Sequence, residues 1–322
     1  MSFAPKKARR EKQKAVIGFI GASGSGKTVS ALLTAYGMMR EAYPDASEEE
    51  VWEKIGVADT EHGRSLLYAN EQFGEVKVGE FLHIDFDPPY STERYNDAVQ
   101  ALKNAGCEVV IIDSLSHNWQ GEGGIIETHA GMSGNSFQNW GKLSTETTSL
   151  IKTLTRNNVH ILCTLRTKTE YVVEPNEQGK SAPRKIGTKP VQKDEMEYEF
   201  MINFVINAEH LAETTKDNTR LFEGNLVRLN EDVGSKLYKW LELGVDIKAE
   251  EAAEKAKEDE ERAELAKEIR KLEQISEAHK AKVTEFEYKT KAKVEDFNLL
   301  LLERAKSLLE TIEAPATEEQ TN

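Results

Sequence analysis

Residues 15–28 read Ala15-Val-Ile-Gly-Phe-Ile-Gly21-Ala22-Ser23-Gly24-Ser25-Gly26-Lys27-Thr28, an apolar strand that runs into a glycine-rich turn closed by Lys-Thr. Each element has a physical role. The glycines let successive backbone N–H groups turn toward a di- or triphosphate with no Cβ in the way. The Lys27 ammonium can reach the β- and γ-phosphates, and the Thr28 hydroxyl suits a coordination position on Mg2+. Val29 to Arg40 then carries apolar residues at helical spacing. The turn therefore opens a helix whose N-terminal dipole faces the anion. Gly21, Ala22, Ser23, Gly24, Ser25, Gly26, Lys27 and Thr28 are read as the cradle of a nucleoside triphosphate.

Working outward, strands alternate with helices. Lys54–Asp59 and Glu80–Phe86 read as strands, the latter stopped by Pro88-Pro89, and Ser91–Ala105 reads as a helix. Cys107–Asp113 and Val159–Leu165 are near-continuous apolar runs, the pattern of strands buried on both faces of a parallel sheet. A glycine-rich loop is expected over Gly121–Gly134 and a helix over Phe137–Arg156. Arg166–Pro190 holds Pro175, Gly179, Pro183 and Gly187 and reads as a mobile loop or a hairpin leaving the sheet. Tyr198–Asn207 alternates like a strand, and Leu211–Phe222 reads as a final hairpin. The expected class is α/β, with a mainly parallel central sheet flanked by helices.

After Gly244 the composition turns to Glu, Lys and Ala, with no Gly or Pro until Pro315. A long charged, coiled-coil-like helical extension follows, with an imperfect apolar seam that includes Leu265, Ile269, Ile275, Val283, Phe297, Leu301 and Leu308, of the kind that packs on a partner helix or folds back as a hairpin. The expected organisation is a basic arm over 1–14, an ATPase core over 15–244, the helical extension over 245–314 and a disordered tail over 315–322.

The 322 residues carry a formal charge of −14, with 39% hydrophobic and 30% charged residues. That balance excludes a uniformly basic nucleic-acid protein. Two islands run the other way. The arm holds Lys6, Lys7, Arg9, Arg10, Lys12 and Lys14 against Glu11, and residues 151–193 hold nine Lys/Arg against three Glu. Basic islands on an acidic body are either solvated surface or a nucleic-acid footprint. Cys107 and Cys163 read as buried reduced thiols, and the histidines have no metal-ligand spacing. No apolar run is long enough to span a bilayer, and the first residues lack the apolar core of a secretory signal, so a cytoplasmic protein is expected.

Hydrolysis of a γ-phosphate needs neutralised charge and a water held in line. Asp113, at the end of its apolar strand, sits where a Walker B carboxylate orients Mg2+. Glu61, ending the second strand, is the favoured carboxylate for orienting water, with Asp59 a competitor and Asp85 a weaker rival. Strand C-terminal ends converge on the phosphate site of a parallel sheet, so these acids can reach it. Thr164 and Arg166 fall where a residue reporting on the γ-phosphate belongs.

The order of P-loop, strand ending in Asp59-Thr60-Glu61-His62, strand ending in Ile112-Asp113-Ser114-Leu115, glycine-rich loop, helix, and strand ending in Thr164-Leu-Arg-Thr-Lys168 resembles the RecA core. Lys189–Phe200 is similar to a signature of bacteriophage RecA-like ATPases, some of them associated with recombination and single-strand annealing. The resemblance covers roughly residues 8–224. It implies ATP as the nucleotide and Glu61 as the water-activating base. It also implies Gln120–Asn135 and Thr167–Lys189 as DNA-facing loops. Lys216 and Arg220 would reach a neighbouring subunit's γ-phosphate, and which of them does so stays open.

Two function classes follow. One is a Mg2+-dependent ATPase acting on single-stranded DNA in recombination, annealing or replication, self-assembled as a ring or filament. Trp119, Phe137, Trp140 and Tyr171 would be available there to stack on bases. The other is a nucleotide-dependent assembly factor or helicase-associated ATPase. It would capture a single-strand-binding or replication partner through the C-terminal helices.

Overall fold

The computed structural model describes residues 5, 7–175 and 181–312, without the side chains of residues 171–186 and 248. The tail expected over 315–322 and the start of the basic arm lie outside the described residues, as does the Tyr171 side chain. The chain divides into two compact units, Met1–Gly244 and Val245–Asn322.

The first unit runs β1 (Val16–Gly21), α1 (Lys27–Ala42), α2 (Glu48–Trp52), β2 (Ile55–Asp59), β3 (Gln72–Phe73), β4 (Val76–Lys77), β5 (Leu82–Asp85), α3 (Thr92–Asn104), β6 (Val109–Asp113), α4 (Ser116–Gln120), α5 (Ile125–Gly131), α6 (Ser136–Thr155), β7 (His160–Pro175), β8 (Ser181–Pro190), β9 (Ile202–Ile206), β10 (Ala212–Asp217) and α7 (Glu231–Leu241). The central sheet has the order β10-β9-β1-β7-β6-β2-β5. Every pairing in it is parallel except β9 with β10. β7 separates the P-loop strand from the strand ending in Asp113, so three strand tips meet above the cradle.

Both faces of the sheet are buried. Ile17, Phe19, Val109, Ile111 and Leu162 pack with α1 and α7 residues such as Leu32, Met38 and Leu237. Their neighbours Val16, Ile20, Val110, Ile112, Ile161 and Cys163 pack with Val99, Leu102, Leu150 and Leu154 from α3 and α6. Period-two alternation with both sets apolar makes these strands read as continuous apolar runs. On the first face α1 and α7 cross closely. A Cβ on Gly37 would lie 1.9 Å from the Glu231 carbonyl oxygen.

Three expectations of secondary structure need correction. The glycine-rich segment after Gly121 contains the helix α5, which starts at Gly124 and buries Ile125. Only the second half of Tyr198–Asn207 is strand, because Asp194–Glu199 forms a 3₁₀ turn first. Leu211–Phe222 holds a single strand, β10, whose antiparallel partner is β9. Its far end turns back where the Asp217 carboxylate accepts the N–H groups of Thr219, Arg220 and Phe222. Of the two readings of Arg166–Pro190, the described residues form the hairpin, with β7 paired antiparallel with β8.

The second unit is helical and folds back on itself around its own core. It consists of α8 (Ile247–Glu273), α9 (Glu277–Thr290) and α10 (Leu299–Glu310). Ser276 and Asn298 cap the last two, accepting from the N–H groups of His279 and Leu301. Ala266, Ile269, Val283, Val294, Phe297, Leu302, Ala305 and Leu309 form its core. Seam residues Ile275 and Leu308 stay exposed. No described helix is long and apolar enough to cross a membrane.

Arg270 ties this unit together. It donates to Glu295 at 2.9 Å, Glu273 at 2.9 Å and Glu287 at 2.8 Å. Burial raises the Glu287 carboxyl, but Lys293, Arg270 and the Val294 N–H outweigh it and bring it down to about 2. A carboxylate with a depressed folded pKa stabilises above its unfolded value and loses that contribution as pH falls through the folded one. The window here runs from about 4.5 down to about 2. Arg270→Ala in the full chain should cost this unit about 1 kcal/mol after solvent screening. Faster amide exchange over residues 265–310 at neutral pH, with the difference shrinking below pH 4, would register it.

Candidate nucleotide site

The cradle is formed by the residues between β1 and α1. Gly24 and Gly26 have φ of 79° and 88°. That left-handed backbone is costly for residues with a Cβ, which is why the turn needs glycine there. The Ser25 N–H donates to the Ala22 carbonyl at 3.3 Å, and the Lys27 ammonium donates to the same carbonyl at 2.7 Å. A 590 Å3 cleft opens above, lined by Ser23, Gly24, Gly26, Lys27, Thr28 and Val29. Glu61, Arg64, Tyr68, Asp113, Arg166, Thr167 and His210 complete its walls.

Asp113, at the tip of β6, is buried and accepts from two hydroxyls. Thr28 donates to one oxygen at 2.6 Å and Thr164 to the other. Burial pushes the Asp113 carboxyl up, and those two hydrogen bonds only partly oppose it. A buried carboxylate whose partners are neutral hydroxyls favours a cation beside it. Thr28 and Asp113 offer hard oxygen donors, which suits Mg2+ that keeps its waters and shares ligands with phosphate. Among the described residues no group of three or more His, Cys, Asp or Glu could hold a metal by itself. Burial also lowers the Lys27 ammonium, against the opposing charges of Asp113 and Glu61.

Glu61 lines the cleft and is held by Arg166, whose Nε donates at 2.7 Å while Nη2 donates to the other carboxylate oxygen. Arg64 adds a longer contact at 3.7 Å. Burial would raise the Glu61 carboxyl, yet the hydrogen bonds and charge of Arg166 hold it below the usual range. Arg166 is in turn fixed at the root of the β7–β8 hairpin. Its N–H donates to the Ser116 hydroxyl at 2.9 Å, and its carbonyl accepts from Val191 at 2.7 Å.

The rivals are used differently. Asp59 is buried and turned away from the cleft. It accepts from the Glu61 N–H at 2.7 Å, the Ser65 N–H at 2.8 Å and the Ser65 hydroxyl at 2.5 Å. It shapes the loop that presents Glu61. Asp85 lies outside the cleft, its nearest ionic neighbour being His83 at 3.8 Å. Thr164 needs correcting as a γ-phosphate reporter: it is fully buried and committed to Asp113, so it positions the carboxylate. Lys216 and Arg220 do not line this cleft. The Lys216 ammonium donates to the Tyr198 carbonyl at 2.5 Å, and Arg220 is exposed in the turn after β10. Arg64, Tyr68 and His210 were not singled out from the sequence. Arg64 shares the Glu61 segment, but no local pattern marks the other two.

The basic islands are partly neutralised. Arg10 donates to the Trp240 carbonyl at 2.6 Å and lies over that indole at 4.2 Å, while Lys12 pairs with Glu242 at 2.6 Å. Lys193 pairs with Glu195 at 2.6 Å. Beside the hairpin root, Trp140 stacks between Trp119 at 5.9 Å and His129 at 4.0 Å, and Phe137 is 87% exposed.

Residues 13–220 match the family model of the AAA domain. Comparison with curated proteins found no match.

Proposed function

We propose a function from one premise, that the chain belongs to the AAA domain family and is a P-loop ATPase. The finer reading is a Mg2+-dependent ATPase of the bacteriophage RecA-like type, directed to single-stranded DNA and working as a ring or filament. The observation that carries it is the two-pronged Glu61–Arg166 pair at the root of a basic hairpin.

In this reading the main-chain amides of the cradle and Lys27 hold the triphosphate. Thr28 and Asp113 would hold Mg2+, which supplies charge neutralisation on the β- and γ-phosphates. Glu61 must then release Arg166 to accept a hydrogen bond from the attacking water. Arg166, freed, turns its charge to the γ-phosphate as the bond to the bridging oxygen breaks. Arg166 is joined to Ser116 and Val191, where the two segments that flank the aromatic cluster and hairpin begin. A strand bound there would shift the balance between the paired and released states. ATPase rate with and without single-stranded DNA tests this. Stimulation that weakens with rising salt is expected, and a rate indifferent to DNA at low salt refutes the DNA reading.

Two further outcomes belong here. Thr164→Val removes one of the two donors that orient Asp113. It should raise the Mg2+ concentration needed for half-maximal ATPase by about tenfold, as loss of a ligand-orienting partner does. Arg220→Ala or Lys216→Ala should lower hydrolysis only in the assembled state, and mixing variant with wild-type subunits shows whether the effect acts in trans. The alternative reading, capture of a replication partner by the C-terminal helices, predicts that ending the chain at Gly244 abolishes capture. It leaves the DNA-stimulated rate of the core as the deciding measurement.

A further inference from the structure

The phosphate end of the cleft is fixed by Lys27, Thr28, Asp113 and Glu61, so a bound nucleotide must leave its nucleoside at the opposite end. His210, in the β9–β10 turn, lines the same cleft and borders the cradle. A Cβ on Gly26 would lie 3.1 Å from the His210 Nδ1, so the imidazole rests directly on the cradle.

The turn holds this ring in an unusual way. His210 has φ of 61°, which few residues with a Cβ adopt. Asn207 imposes that geometry: its side-chain oxygen accepts from the N–H groups of Glu209 and Leu211 at 3.0 and 2.9 Å. The His210 N–H donates to the Asn207 carbonyl at 3.2 Å. Non-glycine residues kept in this region concentrate where a side chain has to be aimed.

His210 Nδ1 lies 3.0 Å from the Ser25 carbonyl oxygen. A carbonyl only accepts, so Nδ1 carries the proton. In its Nδ1–H tautomer the ring carries a lone pair on Nε2, which has no hydrogen-bond partner among the described residues and belongs to a cleft-lining side chain. We propose that His210 recognises the nucleoside. Its Nε2 accepts a hydrogen bond from a ribose hydroxyl or an exocyclic base amine, and its ring face covers the sugar or base. This rests on the nucleotide reading of the cleft.

The test compares Mg2+-ATP with Mg2+-tripolyphosphate, which keeps the phosphates and lacks the nucleoside. By calorimetry on the full chain, wild type should bind ATP more tightly than tripolyphosphate. His210→Ala should weaken ATP about tenfold, the worth of one such hydrogen bond, and leave tripolyphosphate unchanged. His210→Asn tolerates the left-handed turn, guards against a folding failure, and should show the same selective loss. Equal loss on both ligands would mean the ring only braces Ser25 and would overturn the proposal. So would no loss on either, or a wild type that does not distinguish the ligands. A wild type that binds neither brings down the nucleotide reading itself, and this inference with it.

Discussion

Glu61→Gln is expected to bind Mg2+-ATP within a few-fold of wild type and to turn it over about a hundred- to a thousandfold more slowly. The substitution keeps shape and one acceptor oxygen for Arg166, so the cradle and Mg2+ donors are untouched. What it removes is the carboxylate charge that would hold and polarise the attacking water, and an oriented acid–base group contributes about that factor. Asp59→Asn is the discriminating companion. Asp59 accepts three hydrogen bonds that shape the loop carrying Glu61. Its loss should therefore lower thermal stability together with turnover, whereas Glu61→Gln should leave the melting temperature in place. If Glu61→Gln hydrolyses ATP at the wild-type rate while Asp59→Asn stays folded and inactive, the roles are reversed.

In the proposed function the Glu61–Arg166 pair would also set the resting rate. While Arg166 occupies both carboxylate oxygens, Glu61 is ionised but unavailable to water, and the lowered carboxyl makes it a poor proton acceptor. On that reading a nucleotide in the cleft would bring a second, larger negative charge to the wall that Arg166 lines. Exchange of Arg166 from carboxylate to phosphate needs only a side-chain swing, because its backbone is clamped to Ser116 and Val191.

What was legible in the chain divides by the range of the forces involved. The cradle could be read because its demands are local: left-handed glycines, a lysine and a hydroxyl in eight residues. Asp113 and Glu61 could be read because an apolar run ending in an acid is a strand tip, and strand tips of a parallel sheet converge. The partner of Glu61 could not, since Arg166 lies 105 positions away and meets it only through the β2-β6-β7 order. His210 is hidden for the same reason, 185 positions from the carbonyl it contacts. Thr164 was placed correctly on its strand but given the wrong duty, because sequence does not tell which face of a strand end points into the core. In the C-terminal unit the apolar spacing signalled helices. A fold-back was among the readings of that seam, but the breaks near Gln274 and Lys291 lack Gly or Pro, so the three-helix division was not read.

Lys27→Ala should abolish measurable nucleotide binding, a loss of at least about a hundredfold, while leaving the fold intact. The ammonium makes one described contact, to the Ala22 carbonyl, and occupies the first position of α1, where alanine is at least as good a helix former. The stability change should accordingly be small. The binding change is large because the cleft holds two carboxylates, Glu61 and Asp113, and Arg166 is spent on the first of them. Without Lys27 a triphosphate would face those acids with no ammonium on the cradle itself, and the arginines that line the cleft are both engaged by Glu61 before the nucleotide enters. Wild type adds a pH signature. Burial lowers the Lys27 ammonium from 10.5, and only the protonated form grips phosphate, so affinity should begin to fall on the alkaline side before that value is reached. That limb should be missing from any residual binding by Lys27→Ala. Calorimetry with Mg2+-ATP across pH 7 to 10 measures both effects. Wild-type-like affinity in the variant, or an alkaline limb that survives it, would remove the ammonium from the site.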